Sequence, residues 1–292
     1  MPSAGAAVLP RGAVESRLGS TYSSLFLNGS GAGNSIALDG EYLRSGLMLR
    51  AGLGARLELG AELAFAHTSG GFLDDFVIDY HDFFGFPDQD RGLAPRNRWR
   101  VETWRQGQRA FATSSEALRV LDLPVHLTWN ALEPGEGRIG LSLRAGLELP
   151  TGNPERGFGD GGLDPALGVL AEWRASPVAL TAQAQHAFAS TPEPSRRAGL
   201  SFADVTAVET GAEIPLLDGL AAHVQLQWET ATLRRLEFSR AAKDHLLLWT
   251  GLRCGLAPGW ATEFSVGEDL SAFVAPDFSI YWSLVFRPGQ HL

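Results

Sequence analysis

The chain has little of what usually closes off or anchors a fold. Cys254 is its only cysteine, which excludes an internal disulfide and any multi-cysteine metal site. No apolar run approaches the roughly 18 residues of a helical membrane span, and mean hydropathy is near neutral. Positive charge is not in excess. The formal net charge is −9, which argues against a nucleic-acid partner, whose phosphates require Lys and Arg. Met1 to Pro10 shows neither a basic start nor a long apolar core, so no export signal is visible there. The expectation is a chain already trimmed to its mature form. No cofactor and no metal are expected.

What is present is alternation. From Tyr42 the chain reads Leu43, Ser45, Leu47, Leu49, Ala51 and Leu53 on one side, and Tyr42, Arg44, Gly46, Met48 and Arg50 on the other. After Gly54 it restarts, with Leu57, Leu59, Ala61, Leu63 and Phe65 opposite Arg56, Glu58, Gly60 and Glu62. A period of two marks a strand with two unlike environments, and a short Gly-containing turn makes the pair a hairpin. Both runs exceed ordinary soluble strands and suit a tilted membrane strand of about 9–11 residues.

The same pattern predicts a first strand over 14–27, closed by a turn over 28–34. It returns from Leu121 to Trp129 and recurs to the chain's end. The reading is all-β: a single closed antiparallel transmembrane barrel of about twelve strands, occupying 1–292 as one domain. Short turns fall near Gly54, Gly135, Ser176, Leu217 and Ala257, with long loops between them. Short turns belong to the periplasmic rim and long loops to the outer rim. Residues 1–13 are expected to be a flexible periplasmic N-terminus, and 68–116 a long outer loop.

A soluble sandwich alternates too, so the content of the faces matters. Arg44, Arg50, Arg56, Glu58, Glu62, Arg138, Arg144, Glu148, Glu172 and Glu229 all fall on the polar face. Charges suit a wet lumen, whereas one on the lipid face near midplane costs roughly 2–4 kcal/mol. These residues are therefore expected to line the lumen, either setting pore selectivity or pairing across strands to fill a narrow barrel. His126 and His223 point the same way and read as hydrogen-bonded filler. On the apolar face, Trp129, Trp173 and Trp260 lie near short turns, and Phe65, Phe188 and Trp228 near long loops. That matches two interfacial aromatic girdles.

One stretch departs from the pattern. Phe72, Leu73, Phe76, Val77, Tyr80, Phe83 and Phe84 recur at helical spacing, with Asp74, Asp75, Asp79 and Asp82 between them. Gly70-Gly71 precedes this helix of about 72–84, and Gly85 and Pro87 stop it. The plain reading is a helix packed on the rim or inside the mouth. Asp75, Asp79 and Asp82 share a face and also fit a cation site, without the ligand-dense loop of a calcium site. A third reading is a gate swinging about Gly70-Gly71, carried by Phe72, Phe76, Tyr80, His81 and Asp82.

These residues also carry a likeness. Ser69-Gly70-Gly71-Phe72-Leu73-Asp74, Tyr80-His81-Asp82-Phe83-Phe84-Gly85-Phe86-Pro87, Arg91 and Pro95, the turn Leu149-Pro150-Thr151-Gly152 and the ending Ala275-Pro276-Asp277-Phe278 resemble the bacterial DUF3187 family. The resemblance covers nearly the whole chain and implies a Gram-negative outer-membrane barrel, without bringing an activity or catalytic residues. Phe286 nearly ends the chain and resembles the terminal signal read by the barrel-assembly machinery, although Arg287 to Leu292 follow it. An outer-membrane phospholipase places Ser and His on its outward face. Here His186 and Ser190 lie near a long loop, but no Asn-Gly follows the Ser. Outer-membrane lipid, the assembly machinery and a small solute are the expected partners. The leading expectation is a passive or gated channel for small or apolar solutes. A non-conducting structural or binding barrel and, more remotely, a lipid-modifying enzyme are the alternatives.

Overall fold

The structure is a computed structural model describing residues 5–86, 90–235, 241–271 and 276–289. Pro87, Ala275, residues 1–4 and residues 290–292 lie outside the described residues. The strands in chain order are β1 (Val14–Gly31), β2 (Asn34–Gly52), β3 (Leu57–Ser69), β4 (Arg100–Arg105), β5 (Gln108–Thr113), β6 (Arg119–Val120), β7 (Leu123–Leu132) and β8 (Ile139–Leu149). They continue with β9 (Asp164–Ala175), β10 (Val178–Ala187), β11 (Val205–Leu217), β12 (Leu220–Glu229), β13 (His245–Ala257), β14 (Trp260–Asp269) and β15 (Phe278–Phe286). Two helices lie in long loops, α1 (Asp74–Phe84) and α2 (Glu193–Arg197).

Each wall strand pairs antiparallel with its neighbours. The last strand returns to the first, with Phe286 opposite Ser16 and Phe278 opposite Ser24. Among the described residues, twelve strands close the wall: β1, β2, β3 and β7 to β15. The β4–β5 hairpin continues from the far end of β2, where Asn34 pairs with Arg105, and β6 extends the edge of β3. The expected closed antiparallel barrel is what forms.

Burial is inverted relative to a water-soluble protein. Along β3, Glu58, Gly60 and Glu62 are buried while Leu59 and Leu63 are exposed. The same holds around the ring, where Leu47, Leu49, Leu143, Leu147, Leu226, Phe264 and Trp282 are exposed. Aliphatic side chains facing outward and ionised ones facing inward are stable only with lipid outside. No large apolar core exists among the described residues; the buried apolar clusters hold three residues each.

Three boundaries differ from the sequence reading. Residues 28–34 are not an open turn: β1 and β2 stay paired to Gly31↔Asn34. The chain reverses at Ala32 and Gly33, both at positive φ, a tight-turn geometry that Gly33 adopts without Cβ strain. α1 starts at Asp74 rather than 72, and Gly85 ends it in the left-handed conformation at φ 74. The loop after β10 contains the short helix α2, where irregular chain was expected.

Candidate functional site in the lumen

The inward face of β1, β2 and β3 carries opposite charges at cross-strand positions, so the pairs form in register. Arg44 reaches Glu62 at 2.7 Å. Arg50 reaches Glu58 at 2.8 Å and Glu15 at 3.0 Å. Glu15 also accepts from Arg287 Nε at 2.9 Å, across the closing seam. Arg17 reaches Glu263 on β14 at 3.4 Å. Glu58 is 0% exposed, so this side is a compensated ionic layer rather than free charge.

The N-terminal residues complete that layer. Residues 5–13, expected to be a free periplasmic tail, lie inside the short-turn end of the barrel. Leu9 N–H donates to Glu58 at 2.9 Å, and Ala7 N–H donates to Glu172 at 3.3 Å. The Ala6 carbonyl accepts from Asn130 Nδ2 at 3.0 Å and from Ser142 Oγ at 2.6 Å. Gly12 N–H donates to the Gly52 carbonyl at 2.8 Å, and Gly52 N–H to the Ala13 carbonyl at 3.0 Å. A Cβ at Gly52 would overlap the Pro10 carbonyl, so glycine there lets the strap lie against the wall. The reason for the correction is hydrogen bonding: the strap's backbone polar groups find buried partners that water alone would otherwise supply.

Opposite the strap lies a lumenal cavity of about 630 Å³. Thr181, Gln183, Gln185, Glu209 and Gln225 from β10, β11 and β12 line it, with Arg144 and His126 from the other side. Gln225 Nε2 donates to Glu209 at 3.0 Å. Arg144 Nε donates to Thr128 Oγ1 at 3.1 Å. Toward the long-loop end, Leu247, Trp249 and Tyr281 form an inward apolar cluster.

Not every predicted lumen residue joins this arrangement. Arg56 and Arg138 are exposed beside the turns before β3 and β8, and Arg56 donates to the Ala131 carbonyl at 3.3 Å. The alternation was counted past the strand ends, where the pleat no longer sets side-chain direction. Glu148 faces inward opposite Pro124 and Asp164. Glu172 pairs with Arg174 beside the strap. Glu229 ends β12 and lies 3.5 Å from His245. Sequence reading missed Glu15, Arg17, Glu263, Arg287 and the amides of β10 and β12. Glu15 and Arg17 alternate with exposed Val14 and Leu18, a signal that was there to use.

The aromatic positions behave as outward residues. Trp129, Trp173, Trp228, Trp260 and Phe188 are exposed, Phe65 is half-buried, and Phe286 stacks on Trp260 at 4.4 Å. His186 Nδ1 shares a hydrogen bond with Thr206 Oγ1 at 2.8 Å, while Ser190 N–H donates to Asp164 at 2.9 Å; the two side chains form no pair. His223 Nε2 bonds Ser265 Oγ at 2.8 Å.

The gate helix is not in the mouth. α1 packs on the outer face of the wall: Leu73 and Val77 sit against Phe278, with Tyr22, Val266 and Ile280 alongside. These strand residues share a face with exposed Leu18, Phe264 and Trp282. Phe72 stacks on Tyr22, and Phe76 and Tyr80 contact Phe278. His81 lies 3.1 Å from Glu268, and Asp82 is exposed. Asp75 pairs with Arg96 at 3.0 Å, and no cluster of three metal-binding side chains occurs among the described residues. In the outer loop after β8, Asp160 has its pKa pushed up to about 6 by burial and by its hydrogen bond with Asp164.

An inverted twelve-strand barrel with a polar lumen defines the class: an outer-membrane β-barrel with a channel fold. Over 98% of this chain and 99% of its own, the crystal structure of the COG4313 outer membrane channel from Pseudomonas putida F1 superposes with a TM-score of 0.63 at 14% identity. The NanC porin matches 93% of this chain and 97% of its own at 6% identity, TM-score 0.48. The P. putida toluene transporter TodX matches 97% and 91% at 8% identity, TM-score 0.44. The last two are too loose to carry an argument. No functionally curated protein matches the chain in sequence. The chain belongs to the DUF3187 family, described as proteins of unknown function, whose profile covers residues 2–287.

Proposed function

We propose that the protein is a gated outer-membrane channel for small polar solutes, closed by its own N-terminal strap. The observation that carries this reading is the cavity of about 630 Å³ inside the lumen, bounded on one side by residues 5–10. Its volume is in the range of small-molecule sites. Its amides and Arg144 offer hydrogen bonds to a passing solute, which favours polar over apolar cargo. The inward charges Arg44, Arg50, Glu58 and Glu62 then serve mainly to fix the wall and the strap, because each already has a partner.

The test is conductance in a planar bilayer, on protein shown to be folded by its heat-shifted gel band. The intact chain is expected to be nearly silent, and a chain lacking residues through Pro10 to show stepwise currents. Silence from both would overturn the channel reading and leave the closed structural barrel, with its ion-paired lumen, as the better one.

A further inference from the structure

The helix α1 has one buried face and two uncovered flanks. Asp74, Val77 and His81 are buried against the wall. Turning the helix by 100° per residue, Phe76, Tyr80 and Phe84 fall on one flank and Asp75 and Asp82 on the other, with Phe83 and Asp79 side by side on the line between them, farthest from the wall. Phe72, just before the helix, continues the aromatic flank. These aromatics keep much of their surface uncovered by protein: Phe83 is 81% exposed and Phe72 70%.

The helix is fixed near the strand tops. Asp74 binds Arg91 at 2.6 Å, and Arg91 in turn donates to Ser24 Oγ at 2.9 Å and to Asp277 at 2.6 Å, just before β15 starts. Phe76 and Tyr80 lie on Phe278, which pairs with Ser24. Phe72 lies on Tyr22, one outward position nearer the short-turn rim than Ser24. The contact with Glu268 lies eight residues up β14 from Trp260. That is roughly 26 Å of strand, or about 20 Å of height at a tilt near 40°, within an apolar band about 25 Å tall. The helix therefore lies on the lipid-facing wall near the outer edge of that band.

We propose that α1 is an interfacial helix of the outer leaflet, its aromatic flank of Phe76, Tyr80 and Phe84, with Phe72 before it, immersed in membrane lipid and its acidic flank in water. Its occupant is lipid because the surface it extends is the barrel's lipid-facing wall, continuous with Phe264 and Trp282. The wall beneath explains why a cover is needed. Glu41 and Glu268 share the outward parity of Leu47 and Phe264, yet both are buried. Glu41 accepts from the Phe72 N–H at 2.7 Å, next to the helix start, and Glu268 faces His81. Without α1 both carboxylates would meet acyl chains. The inference rests on the outer-membrane fold and is independent of whether the lumen conducts.

The test uses single-cysteine variants, Phe84→Cys and Asp82→Cys, which lie on opposite flanks, in a Cys254→Ala background. Each is labelled with NBD and reconstituted in phosphatidylcholine vesicles containing 5-doxyl phosphatidylcholine. The probe at 84 is expected to be quenched by the nitroxide lipid and shielded from aqueous iodide, and the probe at 82 to show the reverse. Iodide quenching at 84 equal to that at 82, with no nitroxide effect, would overturn the proposal. The unaltered protein supplies a second measurement. A diazirine-acyl phosphatidylcholine should label the 72–84 peptide together with the bare wall at Leu143 and Leu147. Labelling of the wall without the 72–84 peptide would equally overturn it.

Discussion

The two sides of the lumen are built differently. On β1, β2 and β3, inward Arg and Glu side chains pair with one another and with the strap. On β10 and β12, the inward positions are Thr181, Gln183, Gln185 and Gln225, which line an open cavity. Both sides are polar, so polarity alone does not decide where a solute can pass. What differs is what the polar groups face: on one side charged partners and the strap, on the other hydrogen-bonded amides that border open volume. A buried ion pair with additional hydrogen bonds holds a wall in one arrangement, whereas amides beside open volume can exchange hydrogen bonds with a solute.

That contrast can be broken from the strap outward. Gly52→Val places a side chain where the Pro10 carbonyl lies. It should displace the strap and raise conductance severalfold, toward the level of the strap-deleted chain. A silent Gly52→Val barrel that has lost strap protection by hydrogen exchange would show that closure lies elsewhere. Glu58→Ala removes the acceptor of both Arg50 and Leu9. A loss of about 3 kcal/mol is expected for an uncompensated buried partner, read as the shift in urea midpoint of the heat-shifted band. Glu58→Gln, which keeps an acceptor for Leu9, should fall between it and the wild type.

Arg44→Ala should cost about 2 kcal/mol, because it leaves Glu62, whose side chain is 9% exposed, without its bidentate donor. A loss as large as that of Glu58→Ala would mean the ionic layer acts as one network. On the cavity side, Gln185→Glu, at an exposed lumenal position, should leave the urea midpoint within about 0.5 kcal/mol and shift the reversal potential of the strap-deleted pore toward cations. An unchanged reversal potential would mean that ions do not pass the amides. The smallest effect concerns Asp160. Its folded pKa, about 6, lies above the ordinary carboxylate value. The closed loop therefore binds a proton that the opened loop releases, and closure is favoured as pH falls through 6. Protection factors in 150–163, taken relative to the intrinsic exchange rate at each pH, should be higher at pH 5 than at pH 7.5.

Much of this was legible in the residue order. Leu59 and Leu63 against Glu58 and Glu62 are enough to orient β3, because a pleated strand turns each successive side chain to the opposite face. The same rule misled at Arg56 and Arg138, which stand in turns that look like strand continuation on paper. Residues 72–84 are recognisable as an amphipathic helix from spacing alone. The surface it packs on was not, because outward Glu41 and Glu268 look like stray charges until a helix covers them. The amides of β10 and β12 fall on the polar face by alternation, but only charged residues there are expected to line the lumen, because Gln gives a weaker contrast with Leu than Arg or Glu does.

By itself the sequence determined a closed antiparallel barrel with aliphatic residues outside and ionised ones inside. Alternation and turn chemistry are local, and each hairpin is specified by residues next to one another. Only the tertiary structure decided where the two irregular segments go. Leu9 meets Glu58 and Asn130 meets Ala6 across 49 and 124 residues of chain, and α1, which follows β3, reaches past β2 to dock on β1, β15 and β14. Such contacts depend on which buried groups lack a partner once the wall has closed, a property of the assembled barrel and of no single stretch of it.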